Sequence, residues 1–363
     1  MYRKTRFVCV SDTHAYTPSE AGYKLSPGDV LIHAGDLTNQ GSMSELRRTM
    51  DWISKADFEV KIIVGGNHDI TLDPSFYAEY GSSFHHQNLE DPQKCIQVVM
   101  ESSPSIVFLR HQSALIRLTR PDGPNTLFKV FGSPHSQFKG NWAFGYEDAD
   151  GPVLWDQIPL DADVVVTHTP PHSHCDRKLT GESKGCKALR QALSDVRPML
   201  SICGHVHESR GYERVRWPLT SPSSCAGVEQ YSVIRGVLPP LGSKKQSLVD
   251  LTGKKAQRLD NDGFSNYGLL ATSLPPSQDT VILPSSRDGF PDTNQEVRRQ
   301  AQQMNNQNDF DDRKLEIRSR RKETCIVNAA IMANSWPHRG GKKFNTPIVV
   351  DLELPVWKEG TEQ

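Results

Sequence analysis

Phe7-Val8-Cys9-Val10-Ser11-Asp12-Thr13-His14 is the stretch from which the rest of the chain can be read. A short apolar run ends abruptly in a hydroxyl, a carboxylate and an imidazole. Such a run, bounded by polar residues, has the signature of a buried strand. The same arrangement recurs downstream. Val30-Leu31-Ile32 leads into Gly35-Asp36-Leu37, and Val60 to Val64 into Gly66-Asn67-His68-Asp69. Val164-Val165-Val166 leads into Thr167-His168-Thr169-Pro170-Pro171, and Met199 to Cys203 into Gly204-His205-Val206-His207-Glu208. Each expected strand thus finishes in Asp, Asn or His. In open α/β sheets, functional groups collect beyond the carboxyl ends of the strands, where loops bring distant residues together.

Helical patterning fills the spaces between. In SMSELRRTMDWISKA, Leu46, Met50 and Ile53 fall on one helical face, and Ser42 with Glu45 fits a capping box. In GCKALRQALSDV, Cys186, Leu189, Leu193 and Val196 share a face. Strand–helix–strand alternation predicts an α/β fold with mostly parallel strands. Residues 239–322 differ: they contain 14 Asn+Gln, 14 Lys+Arg and 11 Asp+Glu. That composition buries too little apolar area to offset chain entropy and predicts a largely disordered insertion. The expected organisation is a main domain over 1–238, the polar insertion over 239–322, and terminal strands over 323–358 that complete the same domain. The basic run Arg313 to Lys322 reads as a solvated face, with a localisation signal or an anionic-surface contact as the alternative.

The 363 residues carry 42 Lys+Arg against 43 Asp+Glu, so no whole-chain attraction to nucleic acid or an anionic membrane is expected. No apolar window of about 20 residues exists for a membrane-spanning helix. The apolar run at Phe7 is too short for a signal-peptide core. The seven cysteines include no CxxC pair, which fits reduced, mostly buried thiols in a cytoplasmic protein.

The strand-end residues suit a metal pair. Two carboxylates, an amide oxygen and several imidazoles make a mixed shell for borderline divalent ions. The D-x-H spacing of Asp12 and His14, shared by His205 and His207, puts two side chains on one side of an extended segment. A carboxylate such as Asp36 can bridge two ions about 3.5–4 Å apart, as two-metal phosphoesterases require. Two divalent ions against two carboxylates leave a positive surplus that attracts a phosphate anion.

In this order, D-x-H, G-D, G-N-H-D, H-x-P-P and G-H-x-H resemble the calcineurin-like metallophosphoesterase superfamily. Gly132-Ser133-Pro134, Phe138, Asn141-Trp142-Ala143-Phe144, Gly185-Cys186 and Val327-Asn328-Ala329 resemble its metallophosphoesterase-domain-containing branch, of class III cyclic-nucleotide phosphodiesterase type. The resemblance implies a four-layer α/β/β/α sandwich of two mixed sheets. It implies that Asp12, His14, Asp36 and His207 hold one metal, and that Asp36, Asn67, His168 and His205 hold a second. The metals could be Mn, Fe, Zn, Co or Mg. His68 would lie beside the substrate as the catalytic residue, stabilising developing charge or protonating the leaving oxygen. Where many phosphoprotein phosphatases carry D-R-G after the G-D motif, this chain has Thr38-Asn39-Gln40-Gly41. Asn39 supplies no negative charge but can accept a hydrogen bond from His68.

Pro134-His135, Phe138, Trp142, Phe144 and Pro171-His172 are a candidate pocket rim, with aromatic and imidazole faces able to stack a nucleobase, and the alternative is that the Trp and two Phe simply fill core. Arg177 and Lys178 either screen phosphate or face solvent. The expected function is hydrolysis of a small nucleotide-type phosphodiester, such as a cyclic nucleotide, by a metal-bound hydroxide, with phosphomonoesters as weaker substrates. The alternative is a nucleotide-binding or scaffold protein that keeps the fold without turnover. Long nucleic acid is not expected as a partner, since the folded part shows no basic channel.

Overall fold

The computed structural model describes residues 1–137, 140–218, 231–243, 245–254, 256–261, 281–282, 319–335, 337–338 and 340–357. Two sheets face each other. The first runs β13 (Ser247–Asp250), β16 (Ile348–Pro355), β1 (Tyr2–Val10), β2 (Val30–Ala34), β3 (Val60–Val64), β4 (Ile106–Phe108). The second runs β12 (Ser232–Arg235), β11 (Gly211–Arg216), β15 (Glu323–Asn328), β10 (Leu200–Cys203), β9 (Val164–Thr167), β6 (Leu127–Ser133), β5 (Gln112–Arg117), β14 (Val281–Ile282). A small pair, β7 (Ser136–Gln137) and β8 (Gly145–Tyr146), stands apart.

Both sheets are mixed. β1 to β4 are parallel, with Val8 opposite Leu31 and Ile62 opposite Val107, while β16 is antiparallel to β1 with Phe7 opposite Val350. In the second sheet β6, β9, β10 and β15 are parallel, flanked by antiparallel β5 and β11. The parallel strands of each sheet therefore end together, which sets Asp12, Asp36 and Asn67 side by side.

Strand alternation sorts the core into three layers. Phe7, Cys9, Ile32 and Ile62 meet Phe128, Val130, Val166 and Ile202 between the sheets. Val8, Val10, Leu31 and Ile63 point outward onto Leu46, Met50 and Ile53 of α2 (Met43–Lys55) and Val99 of α4 (Pro92–Glu101). Phe131, Val165 and Ile326 point the other way, onto Trp155 of α5 (Gly151–Trp155) and Leu189 and Leu193 of α6 (Lys187–Val196). This is an α/β/β/α sandwich. The Ser42–Glu45 capping box forms as expected, and the Cys186 thiol caps α6. The short α1 (Pro18–Ala21) follows β1, and α3 (Pro74–His85), which starts on an Asp73 cap, follows β3.

The polar stretch 239–322 does not stand wholly outside this fold. β13 pairs in parallel with β16, Leu248 opposite Val349, and Val249, Leu251 and Leu259 are buried in the inter-sheet core. Apolar residues at alternate positions suffice for an edge strand even where the average composition is polar. Residues 262–280 and 283–318, on which the rest of the disorder reading falls, lie outside the described residues. The end of the basic run is not a solvated face. Arg321 is buried and pairs with Asp163 at 2.6 Å. The two terminal strands also part company: β15 joins the second sheet and β16 the first.

Candidate metal centre

The site lies where the two sets of parallel strands end. Asp12, His14, Asp36 and His207 are buried, and each offers a donor atom within 4.8 Å of the others. His14 Nε2 is 3.3 Å from His207 Nε2 and 3.7 Å from Asp36 Oδ2, and His207 Nε2 is 3.3 Å from Asp12 Oδ1. A second group adjoins the first. Asn67 Oδ1 lies 3.0 Å from His168 Nε2 and 2.9 Å from His205 Nδ1, and His168 Nε2 lies 3.3 Å from Asp36 Oδ1. Asp36 is therefore common to both groups, one carboxylate oxygen toward each. All seven expected ligands come together.

These donors fit cations because their lone pairs are aimed at one another. His168 Nδ1 donates to the Ala34 carbonyl at 3.0 Å, and His14 Nδ1 donates to the Thr38 carbonyl at 3.1 Å. Those bonds leave Nε2 of each neutral ring as the atom with the lone pair, the usual way a second partner fixes a ligating tautomer. For His168 that lone pair faces two oxygens.

The electrostatics agree. Burial alone would raise both carboxyls. The bond and charge of His207 outweigh it and hold Asp12 at about 2, and His168 with His68 holds Asp36 well below its ordinary value. Burial pushes His14 and His205 down to about 3, keeping them neutral and ligand-ready. Burial would also lower His168 and His207. Asp36 nevertheless raises His168 to about 9, and the bond to Asp12 raises His207. A divalent cation would exchange with those two protons, so its affinity would rise with pH.

The local backbone departs from the extended form expected of the D-x-H segment. Asp12 (φ 52°), His14 (φ 45°), Asp36 (φ 53°) and His205 (φ 64°) all lie in the left-handed region, and His207 opens a 3-10 turn. Left-handed backbone is costly for such residues and clusters at functional sites. Here it turns each strand end sharply enough to aim its side chain across the sheet edge. Close approach of the loops requires glycine. A Cβ on Gly204 would stand 2.2 Å from Asp12 Oδ2, and one on Gly66 would stand 2.4 Å from Asp36 Oδ1.

His68 is half-buried at the rim. Its backbone N–H donates to Asp36 Oδ1 at 2.9 Å, and its ring packs on Trp142 with centroids 4.0 Å apart. Nδ1 donates at 2.7 Å to the backbone carbonyl of Asn39. The side chain of Asn39, the acceptor expected from the sequence, instead donates to the His14 carbonyl and to Glu45. A backbone carbonyl does this task whatever the side chain, so the missing carboxylate leaves His68 still oriented.

Two supporting residues carried no role in the sequence reading. The Asp69 carboxylate accepts bonds from the N–H groups of Leu37, Thr38 and Gly66, locking the G-D loop to the G-N-H-D loop. Burial, with Asp36 beside it, raises Asp69 to about 7. Asn328 Nδ2 donates to the carbonyls of Cys175, Gly204 and Val206, holding the G-H-x-H loop. Both residues sat in motifs but made no pattern of their own. Only the paired loops show what they hold.

Beside the second donor group lies a cleft of about 240 Å³, lined by Asn67, His205, Gln137, Trp142, Lys178 and Lys184 among others. The expected rim is only partly there. Trp142 lines the cleft, but Phe144 is buried and His135 packs against His111. Phe138 lies outside the described residues. A larger cavity, about 670 Å³, opens far from the metal donors, and its arginines are already paired: Arg6 with Asp351 and Arg120 with Asp57. Among the described residues, no helix is long and apolar enough to cross a membrane.

Comparison with known proteins gives the family of the chain. The chain is 31% identical over 223 residues to human metallophosphoesterase domain-containing protein 1, covering 57% of this chain and 62% of that protein. It is 38% identical over 216 residues to a probable rhamnogalacturonate lyase C of Emericella nidulans, covering 59% of this chain but 18% of that protein. The chain thus spans less than two thirds of either relative. Among solved structures, the purple acid phosphatase of yellow lupin seeds aligns with 62% of this chain and 41% of its own, at 13% identity and a TM-score of 0.31. The family model for calcineurin-like phosphoesterases matches residues 5–209, which contain every candidate donor described above, and the chain belongs to that family.

Proposed function

We propose that the protein is a two-cation phosphodiesterase acting on small nucleotide-type diesters, cyclic nucleotides among them, with phosphomonoesters as poorer substrates. The single observation that carries this reading is the placement of Asp36, with Oδ1 toward His168 and Oδ2 toward His14. A carboxylate shared in this way is what a two-metal phosphoesterase needs between its ions. Bound divalent cations would supply Lewis-acid polarisation of the phosphoryl oxygens and a nucleophile at neutral pH. Two such cations against Asp12 and Asp36 leave a positive surplus where charge builds on the phosphate.

The chain's own residues do the rest. Asp12, His14, Asp36 and His207 form one donor set, and Asp36, Asn67, His168 and His205 the other. The Asn39 carbonyl occupies Nδ1 of His68, so the proton this ring can give to a leaving oxygen is carried on Nε2. Trp142 packs on the ring and fixes its plane.

The test is hydrolysis of bis-p-nitrophenyl phosphate with Mn, Zn, Co, Fe or Mg added in turn. Activity should require a cation, be removed by chelation and fall by at least about 100-fold in Asp36→Asn, as loss of preorganised charge stabilisation would predict. A folded, cation-loaded protein that hydrolyses neither diesters nor monoesters would sink the proposal. Nucleoside monophosphate binding without turnover would favour the idle-scaffold alternative.

A further inference from the structure

The cleft beside the second donor set is lined both by candidate metal donors and by lysines. Asn67 and His205 line it together with Lys178 and Lys184, and Ser136, Gln137, Trp142 and Ser335 complete the lining. Among the described residues, no carboxylate lines it. Its volume, about 240 Å³, falls just below the roughly 300–1,000 Å³ of a full small-molecule site, so it suits one arm of a substrate.

The lysine pair is built into the fold. Lys178 lies within, and Lys184 directly after, a hairpin closed by the Arg177–Ser183 bridge and by Lys178 N–H donating to the Glu182 carbonyl at 2.9 Å. Buried Asp176 anchors the hairpin base, accepting from the N–H groups of Ser173 and Gly185 at 2.9 Å each. Ser209 Oγ bonds the Arg177 carbonyl, which ties the hairpin to the chain just after His207. The lysine backbones therefore hold a fixed position relative to the metal ligands. Lys184 Nζ donates to Glu182 Oε1 in an ion pair at the cleft's margin, so an oxyanion bound there would share or displace that largely exposed carboxylate.

We infer that the substrate arm beyond the reacting phosphorus carries an oxyanion of its own, bound between Lys178 and Lys184. This rests on the phosphodiesterase reading above and narrows it. A cyclic nucleotide has its only anionic group at the reacting phosphorus and leaves the lysines unused. A linear diester with a pendant phosphate or carboxylate uses both.

The experiment compares thymidine 5′-(p-nitrophenyl phosphate) with the same ester carrying a 3′-phosphate, and with one carrying a 3′-O-carboxymethyl group. The leaving group is constant, so the ratio of kcat/KM values isolates the added oxyanion. At low salt the 3′-phosphate ester should be preferred by about tenfold, the scale of charge-assisted hydrogen bonds from partly exposed lysines. The preference should shrink as salt rises. Lys178→Gln/Lys184→Gln should bring the ratio close to one, read within the same protein so that any general change cancels. A preference for the carboxymethyl ester over the 3′-phosphate ester would identify the pendant group as a carboxylate. Equal kcat/KM for all three esters, or a preference that survives in the double variant, would overturn the inference alone. Calorimetry provides a readout without turnover: thymidine 3′,5′-bisphosphate should bind about tenfold more tightly than the 5′-monophosphate, and only in the wild type. An inert protein that keeps this binding ratio would refute the phosphodiesterase reading and uphold the subsite. One lacking the ratio would refute the subsite as well.

Discussion

Replacing Gly204 by alanine tests whether this centre is set by loop packing, because the change removes no donor atom. The new Cβ would stand 2.2 Å from Asp12 Oδ2 and 2.0 Å from Ser11 Oγ. A carbon–oxygen contact needs about 1 Å more than that, and close-packed interiors relieve such overlap only by moving one of the atoms. Asp12 is poorly placed to move. Its carboxylate accepts the His205 N–H at 3.0 Å, its own N–H donates to the Gly35 carbonyl at 2.9 Å, and its φ is already left-handed. The displacement should therefore appear in the donor geometry. Overpacking should cost about 1–3 kcal/mol of stability. A shift of about 1 Å at a reacting centre should lower kcat/KM by about 100-fold. Bis-p-nitrophenyl phosphate turnover at saturating Mn reads the second effect, and Mn calorimetry reads the loss of affinity. Ser11→Ala with Gly204→Ala removes the hydroxyl overlap but not the carboxylate one, so the defect should persist. Wild-type affinity and turnover in Gly204→Ala, or full recovery in the double variant, would refute the reasoning.

Other tests follow from buried charge. Burial pushes His111 down to about 3 and His135 to about 4, against an ordinary value of 6.5. The unfolded chain therefore takes up protons at these rings at a higher pH than the fold does. Their contribution to stability is full above pH 6.5 and is lost as pH falls toward the folded values. At about pH 5.5 the loss is about 1 kcal/mol per ring. The thermal midpoint of His111→Gln should fall less steeply with acid than the wild type's; parallel curves would count against the burial argument. Arg321→Met strands fully buried Asp163 without its partner and should cost about 3–5 kcal/mol by urea unfolding. Adding Asp163→Asn should recover part of that loss, and a neutral Arg321→Met would show that the pair contributes nothing.

The α/β class was legible because each central strand is a short apolar run with a polar end. The candidate donors were legible because each follows such a run directly. Both α2 and α6 announced themselves through 3.6-residue periodicity and, for α2, the capping box. Elements whose burial comes from a distant partner were not legible. β13 sits in a polar stretch, and only β16 beside it makes Ser247–Asp250 a strand. Phe144 and Trp142 are two residues apart and look alike in sequence, yet one is buried and the other lines the cleft. The split of β15 and β16 between sheets depends on which edge each strand meets.

The sequence by itself determined the chemical types at the strand ends, since apolar periodicity dictates which residues must leave the core. It could not determine their separation. Asp36 reaches both donor sets only because parallel strands of two sheets end at one edge and left-handed turns swing the side chains inward. The supports of the site are likewise tertiary: the Asn39 carbonyl on His68, Asp69 between two loops, and Asn328 beneath a third. Backbone groups carry no sequence signature, and a buried polar side chain reveals its partner only when the chain has closed around it.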